Sequence, residues 1–226
     1  MDEAAIEAAK RHAGEDAAAA VADGDVVGLG TGTTAAFAIR ALGRQVDAGL
    51  DVRGIPTSHQ SAALARESGI PQISLADATP DVAIDGADQV ADCTLLKGGG
   101  AAHAREKYVD AAADEFVVVA DPSKLADRLD HAVPVAVLPD AHPVVADAVR
   151  SLGGTPELRA AERKDGPVVT DDGALVLDCD FGPVADPAGL AADLSTTPGV
   201  VEHGLFVDLA DVLVVGREDG ADVTEL

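Results

Sequence analysis

The sequence predicts an α/β fold, in which an open, mostly parallel sheet with helices on both faces is followed by a smaller α+β domain. Three observations predict it. Short runs of Val, Ile and Leu alternate with helical stretches over the first 121 residues, which is the order of repeated strand–helix units. These runs are apolar throughout, as expected for parallel strands that are buried on both faces. After about residue 130 the order becomes β-α-β-β-α-β, which is typical of a split βαβ domain.

The first half is predicted to supply most of the parallel sheet. Its Ala-rich opening predicts a helix, and each later apolar run predicts a buried strand. The predicted elements are, in order, a helix over 2–22, a strand over 26–30, a helix over 33–43, a strand over 52–57, a helix over about 58–68, strands over 71–75 and 81–88, a helix over about 101–113 and a strand over 115–121.

The second half is predicted to form the smaller domain. Its elements are, in order, a strand over 133–139, a helix over 142–152, the stretch 156–160, a hairpin with strands over 167–170 and 174–181, a helix near 186–196 and a strand over 204–209. The last apolar run, 211–216, could return to the first sheet. We therefore predict a Rossmann-like domain formed by 1–129 and 206–226, and a split βαβ, ferredoxin-like domain formed by 130–205.

The composition excludes several classes of protein. Apolar residues make up 47% of the 226 residues and the mean hydropathy is +0.15, which argues against disorder. Aromatic residues make up only 2%, so the core must be built from Ala, Val, Leu and Ile. The formal charge of −24, from 16 basic and 40 acidic side chains, repels nucleic acid and anionic membranes, so neither is an expected partner.

The acidic residues are mostly Asp and are spread along the whole chain, as in proteins of salt-loving organisms, where salt screens the repulsion. We hypothesise a requirement for high salt, which equal thermal stability in dilute buffer and in molar KCl would contradict. The N-terminal segment has no signal pattern and no apolar run approaches the ~20 residues of a membrane span, so we expect a cytoplasmic protein. The two cysteines and six histidines show no metal-binding spacing.

The phosphate loop, as we call residues 28–35 (GLGTGTTA), follows a predicted strand and opens a helix. Backbone N–H groups at such a helix start form an anion site, and phosphate is the natural ligand. A tight turn without a ligand is the alternative. A dinucleotide site is disfavoured, because the acidic residue that it requires, Asp51, lies at the start of the next strand instead of its end.

Two further segments carry groups suited to chemistry. In Asp85-Gly86-Ala87-Asp88, two carboxylates lie where a strand ends, and the small residues between them leave room for a substrate; a solvated loop or a helix cap by Asp88 is the alternative. The glycine loop, as we call residues 97–100 (KGGG), precedes a helix that carries Glu106. For this segment the alternative is a flexible loop followed by an ordinary surface helix.

A fourth segment, Asp121-Pro122-Ser123-Lys124, again follows an apolar strand. Lys124 is one of only five lysines and could reach the ligand crevice at the carboxyl ends of the strands. The alternative is a proline turn with an N-cap by Ser123 and with Lys124 on the surface.

Taken together, these segments resemble ribose-5-phosphate isomerase of the A type. The matching segments run in order along the whole chain: GLGTGTTA at 28–35, PTSHQS at 56–61, DGAD at 85–88, KGGG at 97–100, REK at 105–107, DPSKL at 121–125, PELR at 156–159, TDDGALVLDC at 170–179 and PGVVEHGLF at 198–206. Each segment alone is a weak signal, whereas the ordered set is highly specific.

The resemblance implies that the protein interconverts ribose 5-phosphate and ribulose 5-phosphate through a cis-enediolate, without metal or coenzyme, in the pentose phosphate pathway. Glu106 matches the base that carries a proton between C1 and C2, while Asp85 and Lys97 match residues that assist ring opening and handle charge at the sugar oxygens. The positions that match substrate-binding residues are Lys10, Thr31, Gly32, Thr33, Thr34, Asp85, Gly86, Ala87, Asp88, Lys97, Gly98, Gly99, Gly100 and Lys124. The family suggests a homodimer or a dimer of dimers.

The chain departs from the family's pattern at four positions, none of which removes a group that the chemistry needs. Gln89 replaces a usual Glu, Thr33 replaces a common Ser, and His59 and His103 occupy positions that are often apolar. A related sugar-phosphate deaminase or lactonase-like protein would share the phosphate loop but not the later motifs. A non-catalytic sugar-phosphate sensor would usually carry a helix-turn-helix and a basic patch, which are absent here.

Overall fold

The computed structural model describes all 226 residues, and its contacts divide the chain into two units. The first unit comprises Met1–Ala87, Arg105–Leu125 and Leu209–Leu226, and the second comprises Asp88–Ala104 and Ala126–Asp208. No helix in the structure combines the length and the apolar character that crossing a membrane requires.

All six α-helices and most of the strands lie where the sequence predicts them, whereas the hairpin of Gln89–Ala91 and Thr94–Leu96 was not predicted. The strands are, in chain order, β1 (Val26–Leu29), β2 (Arg53–Pro56), β3 (Val82–Gly86), β4 (Gln89–Ala91), β5 (Thr94–Leu96), β6 (Glu115–Ala120), β7 (Val133–Val137), β8 (Thr155–Leu158), β9 (Leu175–Asp180), β10 (Val200–His203), β11 (Leu205–Val207), β12 (Val212–Arg217) and β13 (Gly220–Glu225). The α-helices are α1 (Glu3–Ala19), α2 (Thr33–Asp47), α3 (His59–Glu67), α4 (His103–Asp110), α5 (His142–Ser151) and α6 (Pro187–Ser195). Two short 3-10 helices cover Pro122–Lys124 and Pro139–Ala141.

The first unit is built on a six-stranded sheet of order β13-β12-β6-β3-β1-β2. Every pair in it is parallel except β12–β13, which confirms the predicted α/β class. The run over 211–216 does return to this sheet as β12, and β13 adds an antiparallel edge strand that sequence analysis did not predict. Because β1 and β3 are parallel neighbours, the segments that follow them meet at one edge of the sheet.

Small apolar residues form the core of the first unit, as its low aromatic content predicts. The core contains Ala, Val, Leu and Ile from α1, α2 and the central strands. Gly14 of α1 lies so close to α2 that an added Cβ would be 2.7 Å from the backbone nitrogen of Ala38. Because α1 has no side chain at this position, the two helices pack with their backbones in close contact.

The second unit contains a four-stranded antiparallel sheet of order β10-β7-β9-β8, with α5 and α6 in its connections. Numbered within this unit, the order is 4-1-3-2, which is that of the predicted split βαβ domain. The predicted strand over 204–209 does form, as β11, but it pairs with β5 and not with this sheet. The fourth strand of this sheet is β10 at Val200–His203, which pairs with β7 and was not predicted. Its core again consists mainly of Val, Leu and Ala.

A third, three-stranded sheet of order β11-β5-β4 also belongs to the second unit. The hairpin β4–β5 pairs with Leu205–Val207, and this pairing groups residues 88–104 with the second unit. The domain boundaries that the sequence predicts place 88–104 in the first domain instead. Hydrogen bonds to a strand more than a hundred residues away decide the difference.

Two predicted strands do not form. Segment 71–75 makes only a bridge between Gln72 and Gly54, because the chain turns away where Ser74 N donates to Asp77 Oδ2 at 2.9 Å. Segment 167–170 makes isolated bridges only, and β9 pairs with β7 and β8 instead of forming a simple hairpin. At 71–75, local turn chemistry therefore replaces a ladder that the apolar pattern predicts.

Candidate active site

The phosphate loop connects β1 to α2 at the carboxyl edge of the first sheet. Gly32 is the N-cap residue of α2, its φ is +112°, and no side chain caps the helix. The positive φ requires glycine, and the uncapped first turn leaves backbone N–H groups for an anionic ligand. Thr34 is buried in this turn, whereas Thr33 is exposed.

Hydrogen bonds hold Thr31 at the centre of this loop. Its N–H donates to Asp85 Oδ1 at 2.9 Å. Its hydroxyl donates to Ser58 Oγ at 2.7 Å and lies 2.9 Å from Thr57 Oγ1, which in turn donates to the Leu29 carbonyl. Thr57 and Ser58 are both buried, so they support the loop, and sequence analysis assigned them no role. The hydroxyl-rich stretch after β2 was the signal that could have identified them.

Asp85, at the end of β3, is completely buried and joins two predicted site segments. Its Oδ1 accepts hydrogen bonds from the N–H groups of Thr31 and of Gly86, the latter at 2.7 Å. A Cβ on Gly30 would overlap the Asp85 carboxylate, so glycine at position 30 is what admits this side chain. The solvated-loop interpretation of Asp85 is therefore wrong. Ala87, like Gly86, is half-buried.

Lys10 lies in the same surface cavity as the start of α2. This cavity has a volume of about 360 Å³, and Gly32, Thr33, Phe37 and Arg40 also line it. The predicted phosphate-contacting lysine is thus brought together with two residues of the phosphate loop. Sequence analysis did not predict Arg40 at this position.

Glu106 lies in the first turn of α4 and is only 4% exposed. A carboxylate with this little solvent contact does not belong to an ordinary surface face, so that alternative is wrong. Burial of a charged group costs free energy unless other groups compensate it. Buried ionisable side chains of this kind are common at catalytic sites.

Lys97, in the second unit, is 2% exposed and directly follows β5. Its N–H donates to the Gly204 carbonyl at 2.8 Å, and its Nζ lies 5.4 Å from the centre of the Phe206 ring. An ammonium group at this distance from an aromatic face gains a cation–π attraction. Lys97 is therefore a buried cation whose backbone and ammonium group both have partners in the second unit, unlike an exposed surface lysine.

The rest of the glycine loop is fixed by side chains from other parts of the second unit. Gly99 N donates to Asp88 Oδ2 at 2.7 Å, so Asp88 contacts the loop and is not a helix cap. Gly98 has a φ of +105°. Arg159 Nη1 donates to the carbonyls of Gly98 and Gly99 at 2.9 and 3.1 Å. Arg159 belongs to the matching segment PELR, but no function was predicted for it from the sequence.

His103 is buried in the second unit and does not face solvent. Its Nε2 accepts a hydrogen bond from the Ala136 N–H at 3.1 Å, and a Cβ on Gly98 would lie 2.7 Å from its Nδ1. The imidazole therefore packs under the glycine loop. The other unusual histidine, His59, is exposed at the start of α3.

Lys124 is half-buried on the short 3-10 helix that follows β6. The predicted N-cap by Ser123 was wrong, because Asp121 is the cap residue and its Oδ1 accepts the Ser123 N–H at 2.9 Å. Asp121 itself is fully buried, and no role for it was predicted within this segment. The structure contains no group of three His, Cys, Asp or Glu side chains arranged to hold a metal ion.

Comparison with known proteins identifies similar sequences and structures. A family model described as ribose 5-phosphate isomerase A (phosphoriboisomerase A) matches residues 53–220. A ribose-5-phosphate isomerase A from Natronomonas pharaonis is 68% identical over 96% of both chains, and one from Haloarcula marismortui is 63% identical over 100% of this chain and 99% of its own.

Two solved structures are also similar. Ribose 5-phosphate isomerase A from Methanocaldococcus jannaschii superimposes with a TM-score of 0.92 at 41% identity, covering 96% of this chain and 98% of that chain. A D-ribose-5-phosphate isomerase in complex with phospho-erythronic acid gives a TM-score of 0.94 at 39% identity, with full coverage of both chains.

Proposed function

Because the chain belongs to the ribose 5-phosphate isomerase A family, we propose that it interconverts D-ribose 5-phosphate and D-ribulose 5-phosphate. The observation that carries the proposal is the full-length similarity to a relative that binds phospho-erythronic acid. That ligand presents a planar carboxylate where the sugar would present its C1 and C2 oxygens, so it resembles an enediolate and ends in the same phosphate.

The phosphate loop binds the phosphate of the open-chain sugar. The uncapped first turn of α2 supplies N–H donors, Thr33 adds a hydroxyl, and Lys10 adds a positive charge from the same cavity. Thr31, Gly32 and Thr34 complete this part of the site, and Lys124 contributes a further cation. Binding energy gained here, away from the reacting carbons, orients C1 and C2 for proton transfer.

Glu106 is the base that moves a proton between C1 and C2. A proton next to a carbonyl is weakly acidic, and a positioned carboxylate accelerates its removal by roughly 10²–10⁴. The same carboxylate returns the proton to the neighbouring carbon while the hydroxyl proton of O2 moves to O1, so the reaction is balanced without an oxidant or reductant. The burial of Glu106 supports this role, because a base shielded from water returns the proton to the substrate and not to solvent.

Lys97 and the N–H groups of Gly98 and Gly100 stabilise the negative oxygen of the enediolate, while the Gly99 N–H is bound by Asp88. Lys97 is held and buried, so little reorganisation is needed as charge develops. Asp88 contributes to substrate binding from the adjoining segment and holds the loop through Gly99.

Asp85 assists ring opening, and Gly86 and Ala87 leave room for the sugar beside it. The furanose form must open before its aldehyde can react, which requires removing the proton of the C1 hydroxyl and delivering a proton to the ring oxygen as its bond to C1 breaks. The contact from Asp85 to the Thr31 N–H supports this proposal, since it places the carboxylate beside the phosphate loop within the first unit.

We also propose that the enzyme acts without metal or coenzyme, in the non-oxidative pentose phosphate pathway of the cytoplasm, as a homodimer or a dimer of dimers. The similarity to relatives from halophiles and the charge of −24 support a halophilic enzyme.

A coupled assay for ribulose 5-phosphate tests the proposal. The full chain is incubated with ribose 5-phosphate alone, in molar KCl and with EDTA present. We expect steady turnover that EDTA leaves unchanged. Binding of ribose 5-phosphate without turnover would instead identify a sugar-phosphate sensor, and turnover abolished by EDTA would remove the metal-independent mechanism.

A further inference from the structure

The side chain of Arg159 connects the glycine loop to the four-stranded sheet of the second unit. Its Nε donates to Asp178 Oδ2 at 2.8 Å, and its Nη2 donates to Asp178 Oδ1. Its Nη1 donates to the carbonyls of Gly98 and Gly99. The guanidinium is mostly buried, with 17% of the side chain exposed, and every one of its three nitrogens is used.

This geometry fixes the direction of two peptide groups. A trans peptide is planar, so its C=O and the following N–H point in opposite directions. The peptide between Gly98 and Gly99 is held at both ends, since Arg159 binds its carbonyl and Asp88 binds its N–H. In the next peptide Arg159 binds the Gly99 carbonyl, so the Gly100 N–H points to the opposite side of the loop.

The direction of these peptide groups has to be fixed by other residues, because glycine itself does not restrict it. Glycine visits both signs of φ with similar ease, and three consecutive glycines have no side chains to stop a peptide from flipping. A flipped peptide would present a carbonyl oxygen, a negative dipole, where the proposed reaction requires an N–H donor for a developing oxyanion. The adjacent Ala101 N–H donates to the Gly98 carbonyl at 3.0 Å, whereas the Gly99 carbonyl is held by Arg159, from outside the loop.

Charge and shape make arginine the residue suited to this support. Asp178 neutralises the guanidinium, so the pair adds geometry to the site and little net charge. One planar fork with five N–H donors serves a carboxylate and two carbonyls at once, whereas a lysine ammonium has three donors and no fixed plane. Asp178 lies in β9, a central strand, which anchors the pair.

We propose that Arg159, oriented by Asp178, is a positioning residue that holds the glycine loop with the Gly100 N–H directed at the enediolate. The inference rests on the proposed isomerase function. Arg159 contacts no reacting atom and acts only through the loop.

The test compares Arg159→Lys with the wild-type chain in molar KCl, using Arg163→Lys, an exposed neighbour, as the matched control. We expect kcat to fall by about 10- to 100-fold, the range that a small misplacement of catalytic groups produces. Inhibition by phospho-erythronic acid should weaken by a similar factor, because that ligand needs the oxyanion donors. Inhibition by inorganic phosphate, which needs the phosphate loop alone, should change less than twofold.

An unchanged kcat with unchanged phospho-erythronic acid inhibition would overturn the proposal. Equal weakening of both inhibitors would also overturn it, because it would mean a general structural role. If Arg159→Lys does not fold, Asp178→Asn carries the test: the same pattern at smaller amplitude supports the proposal and wild-type behaviour overturns it. Absence of turnover in the wild-type chain would instead contradict the isomerase function, which keeps the two failures distinct.

Discussion

The phosphate loop and the glycine loop are both rich in glycine, and both offer backbone N–H groups to an anion, but they are held in different ways. The phosphate loop runs from a central parallel strand into a 15-residue helix, and the side chain at the end of the neighbouring strand, Asp85, binds it. The glycine loop is held by charged side chains, Asp88 and Arg159, of which the second is about 60 residues away in sequence.

Two loops of similar composition can therefore be held in place by two different kinds of contact. Regular sheet geometry positions the first loop, so a change there disturbs the core of its unit. Individual polar contacts position the second loop, so a change there disturbs the direction of its N–H groups and little else. Four predictions test this distinction, in order of decreasing size of the expected change.

The largest effect is expected where neither loop acts directly, at Glu106. Glu106→Gln replaces the base by an amide that cannot accept the proton, so kcat should fall by about 10²–10⁴. Both loops remain intact, so inhibition by inorganic phosphate should stay at the wild-type level. Steady-state kinetics measure both quantities, and Glu162→Gln at an exposed position is the control. A near-normal rate would remove Glu106 as the base.

The lysines associated with the two loops should affect different kinetic constants. Lys97→Ala removes a cation from the developing charge, so kcat should fall by about 10²–10³. Lys10→Ala removes a phosphate contact, so KM should rise by at least tenfold, the effect of losing a charge-assisted hydrogen bond of about 1.5–3 kcal/mol. The control is Lys164→Ala, at an exposed position. Equal effects of Lys97→Ala and Lys164→Ala on kcat would reduce Lys97 to a bystander.

Alanine at one glycine of each loop should separate stability from rate. In Gly30→Ala the new methyl overlaps the buried Asp85 carboxylate, and overpacking of about 1–3 kcal/mol should lower Tm by roughly 2–12 °C. In Gly99→Ala the methyl would lie 2.8 Å from an oxygen of Asp88, which can move because the site is exposed. We therefore expect a lower kcat with a change in Tm of less than about 2 °C.

Calorimetry and steady-state kinetics on both variants check this contrast. Gly220→Ala is the control, since an added Cβ there meets no atom within 4 Å and the backbone is not in the left-handed region. Equal losses of Tm in Gly30→Ala and Gly99→Ala would show that the two loops have the same kind of support.

The smallest change in activity is expected from labelling the cysteine thiols, one of which, Cys179, is next to Asp178. Burial, with a smaller contribution from the Asp178 charge, raises the pKa of Cys179 to about 12, whereas Cys93 is exposed. At pH 8 only about 10⁻⁴ of the Cys179 thiol is then ionised, and the thiolate is the reactive form. A thiol reagent should label one cysteine per chain, Cys93, without loss of activity. Rapid labelling of Cys179 would mean that the sheet behind Asp178 opens readily.

Most of the fold could be predicted from the sequence because its signals are local. Apolar runs gave the parallel strands, and the β-α-β-β-α-β order gave the second unit. The segment 71–75 failed because a turn at Ser74 and Asp77 competes with the sheet, and β13 was missed because its residues are polar and mostly exposed. The pattern of apolar residues does not show where local hydrogen bonds compete with strand pairing.

The candidate site divides in the same way. Motifs in the sequence were enough to select Glu106, Asp85, Lys97 and both loops, since those residue types occur together in an ordered series that matches one family. No motif could show that Asp85 binds Thr31, 54 residues away, or that Gly30 must lack a side chain to permit it. Thr57, Ser58 and Arg159 were missed for the same reason, because their importance lies in what they touch.

The order of the elements, the chemical groups available and the conformational freedom of the glycines are written in the sequence, because they are properties of neighbouring residues. Which carbonyl meets Arg159 and which N–H meets Asp88, and so which way each peptide of the glycine loop points, is set by the folded chain. The physical reason is that a hydrogen bond depends on distance and direction in space, and chain folding sets these independently of separation along the sequence.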